Sequence, residues 1–179
     1  MLLEQQSSRG RIDLFYGDES HVCEEGYVPY GWQFKGEDVF IEVAKGRSIN
    51  CFGLLSRNNK LIYRLTEQSI NADFIIEQLE HLSLNIGKQT VVVLDNAPVH
   101  TAQKVKQCLD AWQKRGLYIF YLPPYSPQLN IIERLWKELK ARWLRPQDYL
   151  SADSLFYQTK LIMQAIGKNL FINFSTFKI

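Results

Sequence analysis

The stretch Val91-Val92-Val93-Leu94-Asp95-Asn96-Ala97-Pro98 decides how the rest of the chain is read. Three β-branched residues and a leucine in succession have the length and stiffness of a central strand covered on both faces. The strand runs out at Asp95, and an apolar strand rarely ends in a carboxylate without a use for it. A second strand is expected over 11–18, with Ile12, Leu14, Tyr16 and Asp18 on one face by the period of two. It too closes on an acid. A third acid, Glu133, stands in the first turn of an expected helix, just after a proline-rich loop.

Around these landmarks the pattern alternates. Hairpin strands are expected at about 38–44 and 48–55, joined at Lys45-Gly46-Arg47, and another strand at about 60–65 after the turn Arg57-Asn58-Asn59. Asn71 can cap a helix running to about 84, with Phe74, Ile75, Leu79 and Leu82 at helical spacing. A helix over about 99–114 leads to Gly116 and to a strand at 117–122. The loop Pro123-Pro124-Tyr125-Ser126-Pro127 then opens a helix whose apolar stripe is Ile132, Leu135, Trp136, Leu139 and Trp143, stopped near Pro146. A last amphipathic helix is expected at about 152–167, and 169–179 is either a strand or a docked tail. Strands joined first antiparallel and then through helices imply an α/β fold: a mixed sheet with helices on both faces. In that order the strands ending in Asp18 and Asp95 can lie side by side and parallel, so both acids project from one edge of the sheet.

The 179 residues suit a single domain spanning 1–179, with a core at about 11–145 and a helical extension at about 150–179. No apolar stretch is long enough for a membrane span, and the N-terminus is too short and polar for a secretion signal. Three widely spaced cysteines fit a reducing cytosol, and His21-Val22-Cys23 alone is a poor zinc nucleus. A net charge of +2 announces no nucleic-acid binder. Local basic clusters remain: Arg134, Lys137, Lys140, Arg142 and Arg145 around Glu133, and Lys104, Lys106, Lys114 and Arg115 upstream. Solvated helix faces account for many such clusters.

Carboxylates held close together repel, which raises one of their pKa values. A hard divalent cation such as Mg²⁺ or Mn²⁺ removes that cost. Two ions roughly 3.5–4 Å apart can activate an attacking oxygen and stabilise a leaving one in phosphodiester displacement. Each acid also has a plainer use. Asp18 could cap a turn, Asp95 could be a loop residue, and Asn130 with Glu133 has capping-box spacing, with Lys137 one turn on as an ion-pair partner for Glu133.

Three blocks carry a resemblance: Gly17-Asp18-Glu19-Ser20, then Leu94-Asp95-Asn96-Ala97-Pro98-Val99-His100, then Leu122-Pro123-Pro124-Tyr125-Ser126-Pro127-Gln128-Leu129-Asn130-Ile131-Ile132-Glu133-Arg134-Leu135-Trp136. Over roughly 11–145 the chain resembles the catalytic domain of mariner-like D-D-E transposases, in particular their bacterial insertion-sequence branch. The resemblance implies a ribonuclease-H-like fold with Asp18, Asp95 and Glu133 as the catalytic, metal-binding triad for Mg²⁺ or Mn²⁺, two ions together. It places Asn96 and His100 beside the site as auxiliary residues, although His100 can equally serve as a helix-start residue. Tyr125, Ser126 and Pro127 match the loop that presents the Glu133 helix. Gly31-Trp32 matches a first-loop motif, with Trp32 also readable as core.

The function implied is cleavage of DNA at transposon ends followed by strand transfer into target DNA, commonly at a TA dinucleotide. Lys137 and Lys140, on Glu133's side of the helix, together with Arg134 and Tyr125, are the candidate DNA contacts. The resemblance also implies a homodimer and a bacterial cytoplasmic protein acting at the nucleoid. The family usually has proline where Ile131 stands, and its members normally carry an N-terminal helix-turn-helix region. This chain starts almost directly at the first catalytic strand, so that region is expected to be absent, and the chain reads as a separately encoded catalytic half with a separate end-recognition polypeptide, as a fragment, or as a decayed copy. Two other readings stand beside the enzyme: a non-catalytic remnant that binds DNA or a partner transposase, and a structure-selective nuclease of the same fold, such as a junction resolvase.

Overall fold

A computed structural model describes residues 2–23, 35–36 and 47–174. The strand expected at 38–44, its turn at Lys45-Gly46 and the Gly31-Trp32 motif lie outside the described residues. Among the described residues five strands form one sheet: β1 (Asp13–Cys23), β2 (Ser48–Leu55), β3 (Leu61–Thr66), β4 (Thr90–Leu94) and β5 (Leu117–Tyr121). Their spatial order is β3-β2-β1-β4-β5. The first three pair antiparallel, while β4 runs parallel to both β1 and β5. This is the mixed sheet that the alternation of elements predicts.

All five residues of β4 are buried, as a strand covered on both faces must be. The alternation along β1 separates two apolar layers. Ile12, Leu14 and Tyr16 face α5 (Ile132–Glu138) and α6 (Ala152–Ala165), packing with Leu135, Leu139, Leu155 and Met163. Phe15 faces α2 (Ala72–Leu84) and α4 (Gln103–Arg115), packing with Ile75, Leu79, Val105 and Trp112. Each large side chain so buried contributes about 1.5–3 kcal/mol through the hydrophobic effect.

Asn71 caps α2 as expected, its side chain accepting from the Phe74 amide. Gly116 ends α4 in the left-handed region, φ 96°, where only glycine fits without strain. Two expectations change in detail. The helix expected over 99–114 is two: a single turn, α3 (Pro98–Thr101), and α4, with an extended Ala102 between them. Nor does β1 stop at Asp18. It runs on to Cys23, because β2 continues to pair with it after β4 has ended.

The last described residues, up to Phe174, form a docked tail. Asn59, in the β2–β3 turn with φ 61°, donates through Nδ2 to the Ile172 carbonyl and accepts through Oδ1 from the Ile172 amide. Its side-chain amide thus pairs with Ile172 as a neighbouring strand would. Arg57, in the same turn, pairs with Glu4 of α1 (Leu2–Ser8) and lies over the Phe174 ring. Among the described residues no helix is long and apolar enough to cross a membrane.

Candidate functional site

The parallel register aligns Tyr16 with Val93. Two residues further on, Asp18 and Asp95 stand side by side where β4 gives out and β1 continues. Both belong to the parity that faces α5. Glu133, one residue into α5, comes to the same edge, close enough for its charge to act on Asp18. The Asp18 carboxyl is pushed up to about 7, first by burial and then by the charges of Glu19, Glu133 and Asp95.

The loop before α5 sets that helix against β1. Tyr125 is fully exposed with φ 56°, and Pro127–Leu129 forms a single 3₁₀ turn. Pro127 therefore opens this turn and not α5 itself. Asn130 is buried and serves as more than a cap: Nδ2 donates to the carbonyl of Gly17, the residue preceding Asp18, and Oδ1 accepts weakly from the Ile132 amide at 3.4 Å. The α5 start is thereby tied to the strand that carries the first acid.

Trp136, one helical turn beyond Glu133, is buried, and its Nε1–H donates to Asp18 Oδ2 at 3.2 Å. A buried indole N–H needs a partner, so a tryptophan in the apolar stripe three residues after Glu133 was a signal that the stripe alone conceals. Beyond Glu138 the helix widens into a π turn over Leu139–Trp143, the Leu144 amide reaching back to the Leu139 carbonyl. π turns often mark functional sites. Lys140, inside it, is half-buried, and its charge acts on the buried Cys51 thiol of β2. Lys137 and Arg134 are exposed.

Asp95 is held from the other side. Its Oδ1 accepts from the Ala97 amide at 3.0 Å and from His100 Nδ1 at 2.7 Å. His100 is wholly buried in α3, and its Nε2 stands 2.9 Å from Glu19 Oε2. That second contact is an ion pair by distance but lacks the alignment of a hydrogen bond. Burial works to discharge the ring, but the bond to Asp95 and the nearness of Glu19 outweigh it and raise the His100 pKa to about 9. The His100 bond in turn holds the Asp95 carboxyl below its usual range. Asn96 points elsewhere: its Nδ2 donates to the Leu122 carbonyl, joining the loop after β4 to the one after β5. Glu19 was the participant that strand alternation hid, since it sits on the opposite face from Asp18, yet its charge acts on Asp18 and its carboxylate stands beside His100.

The arrangement is open. Asp18, Asp95 and Glu133 share one edge, but among the described residues no three Asp, Glu, His or Cys side chains stand close enough to enclose an ion. The donor chemistry nevertheless fits a hard cation: three carboxylates at one edge, one with its proton affinity raised by burial and by its neighbours' charges.

Comparison with known proteins adds the family. The model of the DDE superfamily endonucleases matches residues 13–155. The Tc1 transposase of Caenorhabditis elegans is 37% identical over 83 residues, 46% of this chain and 29% of that protein. The 39 kDa protein of insertion element IS630 from Shigella sonnei is 22% identical over 160 residues, 86% of this chain and 45% of that one. Among solved structures, the Mos1 transposase paired-end complex with the left transposon end superposes with a TM-score of 0.68 at 19% identity, covering 92% of this chain and 52% of that one. The chain thus spans less than two thirds of the curated relatives it matches. The likeness to Mos1 is one of fold, a ribonuclease-H-like mixed sheet with flanking helices, and the match over 13–155 carries the assignment: the chain belongs to the DDE superfamily endonuclease family.

Proposed function

We propose that the chain is the catalytic domain of a transposase, cutting DNA at transposon ends and joining the freed end to target DNA. The observation that carries this reading is the gathering of Asp18, Asp95 and Glu133, from two strands and a helix, at one sheet edge in a chain of the DDE endonuclease family. Bound at these carboxylates, Mg²⁺ or Mn²⁺, two ions by resemblance, would supply the Lewis acidity that activates the attacking oxygen and stabilises the leaving one.

The chain's own residues bind and orient. Asp18, Asp95 and Glu133 would hold the metal, with His100 fixing one oxygen of Asp95 and Asn96 bracing the loop that carries it. Arg134, Lys137 and Tyr125, all exposed, would contact backbone phosphates near Glu133. Half-buried Lys140 is the weaker candidate. In the first step water attacks phosphorus and the bond to the 3′ oxygen breaks, leaving a 3′-hydroxyl and a 5′-phosphate. In the second that hydroxyl attacks a target phosphorus, displacing a target 3′ oxygen that takes up a proton. A homodimer would hold two ends together.

The openness of the acid cluster favours one alternative, a remnant that binds DNA or a partner transposase without cutting. Cleavage of an end-labelled duplex bearing transposon ends, with Mg²⁺ or Mn²⁺, separates the two. The enzyme predicts metal-dependent cutting that Asp95→Ala abolishes. If the unmodified chain binds the duplex and leaves it whole, the remnant is the correct reading.

A further inference from the structure

We propose that Trp136 is a positioning residue for the reacting centre, fixing the Asp18 carboxylate from a seat that Gly53 leaves open. The inference rests on the metal-centre reading above and deepens it. Register pairs Asp18 of β1 with Gly53 of β2. A Cβ on Gly53 would stand 3.0 Å from Ile132 Cδ1 and 3.1 Å from Trp136 Cη2, tighter than ordinary contacts allow. The missing side chain therefore lets the indole approach the sheet closely beside the acid. From there Nε1–H reaches Asp18 Oδ2 at 3.2 Å.

The other aspartate is treated alike from the opposite face, where His100 holds Asp95 Oδ1. Each carboxylate thus has one oxygen tied by a ring N–H, while Asp18 Oδ1 and Asp95 Oδ2 take no side-chain hydrogen bond among the described residues. A carboxylate held by one oxygen cannot rotate freely and presents the other in a set direction. Partners of this kind, bonded to a ligand and not to the metal, commonly change metal affinity 10–100-fold on removal. Trp136 also ties the orientation of Asp18 to α5, the helix that brings Glu133, so two of the three acids move as one unit.

The test is Mn²⁺ binding to the 179-residue chain, followed by the loss of the free-ion electron paramagnetic resonance signal, for the unmodified protein, Asp95→Ala and Trp136→Phe. Phenylalanine keeps the ring burial and removes the donor. We expect Asp95→Ala to bind too weakly to measure, and Trp136→Phe to bind roughly tenfold more weakly or worse. The Mn²⁺ concentration for half-maximal cleavage should rise by the same factor, with a smaller change in rate at saturating metal. A role in packing alone would lower the melting temperature and leave Mn²⁺ affinity untouched. If Asp95→Ala loses Mn²⁺ while Trp136→Phe keeps it, the positioning role is overturned and the centre stands. If Asp95→Ala binds like the unmodified chain, the centre itself is wrong and the inference falls with it. Should Trp136→Phe fail to fold, a benzothiophene amino acid at position 136 keeps the indole's shape without its N–H, and the same affinities decide.

Discussion

Each face of the sheet buries a tryptophan that gives its indole N–H to a carboxylate, and the two carboxylates fare in opposite ways. On the α2/α4 face, Trp112 Nε1 donates to Glu80 Oε2 at 2.7 Å, and the same carboxylate takes Arg115 at 2.5 Å. The Trp112 and Arg115 bonds hold Glu80 below its usual range. On the α5 face, Trp136 donates to Asp18, which among the described residues has no cation paired with it and has three acidic neighbours, and burial with their charges carries it up to about 7. The donor is the same; what differs is whether the remaining charge is neutralised. A structural acid is finished by its arginine. A site acid is left unfinished, and the deficit is what a cation can fill.

The comparison can be broken from either side. The largest effect should come from Trp112→Ala, which empties a fully buried site in the α2/α4 layer and leaves Glu80 without its donor. Large-to-small changes at such positions cost about 3–5 kcal/mol, so urea unfolding should show a midpoint well below that of the unmodified chain. Asp18→Asn should act in the opposite sense. It removes a charge that burial and three acids disfavour, so at neutral pH it should raise stability by on the order of 1 kcal/mol while eliminating metal-dependent cleavage. A lower melting temperature for Asp18→Asn would deny that Asp18 is uncompensated.

The smallest effect belongs to Glu80→Gln, because the pair with Arg115 is partly solvated. A lowered native pKa means that this carboxylate stabilises the fold above its ordinary value of 4.5 and loses that contribution as acid takes the pH below it. The variant should therefore be less stable than the unmodified chain at pH 7, and the gap should close on acidification. A gap that widens towards low pH would reverse the sign argued here.

What sequence reading recovers, and what it misses, follows from the range of the interactions. The β-branched run 91–94 and the alternation over 11–18 are local patterns, and the strands and the shared edge of Asp18 and Asp95 followed from them. The break at Ala102 carries no glycine or proline of its own; it accompanies the turn that sets His100 against Asp95 and Glu19. Asn130 and Glu133 have the spacing of a capping box, yet the Asn130 oxygen accepts weakly from the Ile132 amide and not from Glu133's, while its amide donates to Gly17, 113 positions away. Trp136 counts as one more apolar residue in a helical stripe, and only the register of β1 against β2 sets its N–H beside Asp18. Partnerships across the sheet leave no trace in local spacing.

The turn at Arg57 and Asn59 gathers Glu4 from one end of the described chain and Ile172 and Phe174 from the other. It follows Leu55, which pairs with Tyr16, so it lies towards the start of β1, on the other side of Tyr16 from Asp18. Clipping before Ile172 should do harm out of proportion to the few residues lost, since it would strand a buried amide on Asn59.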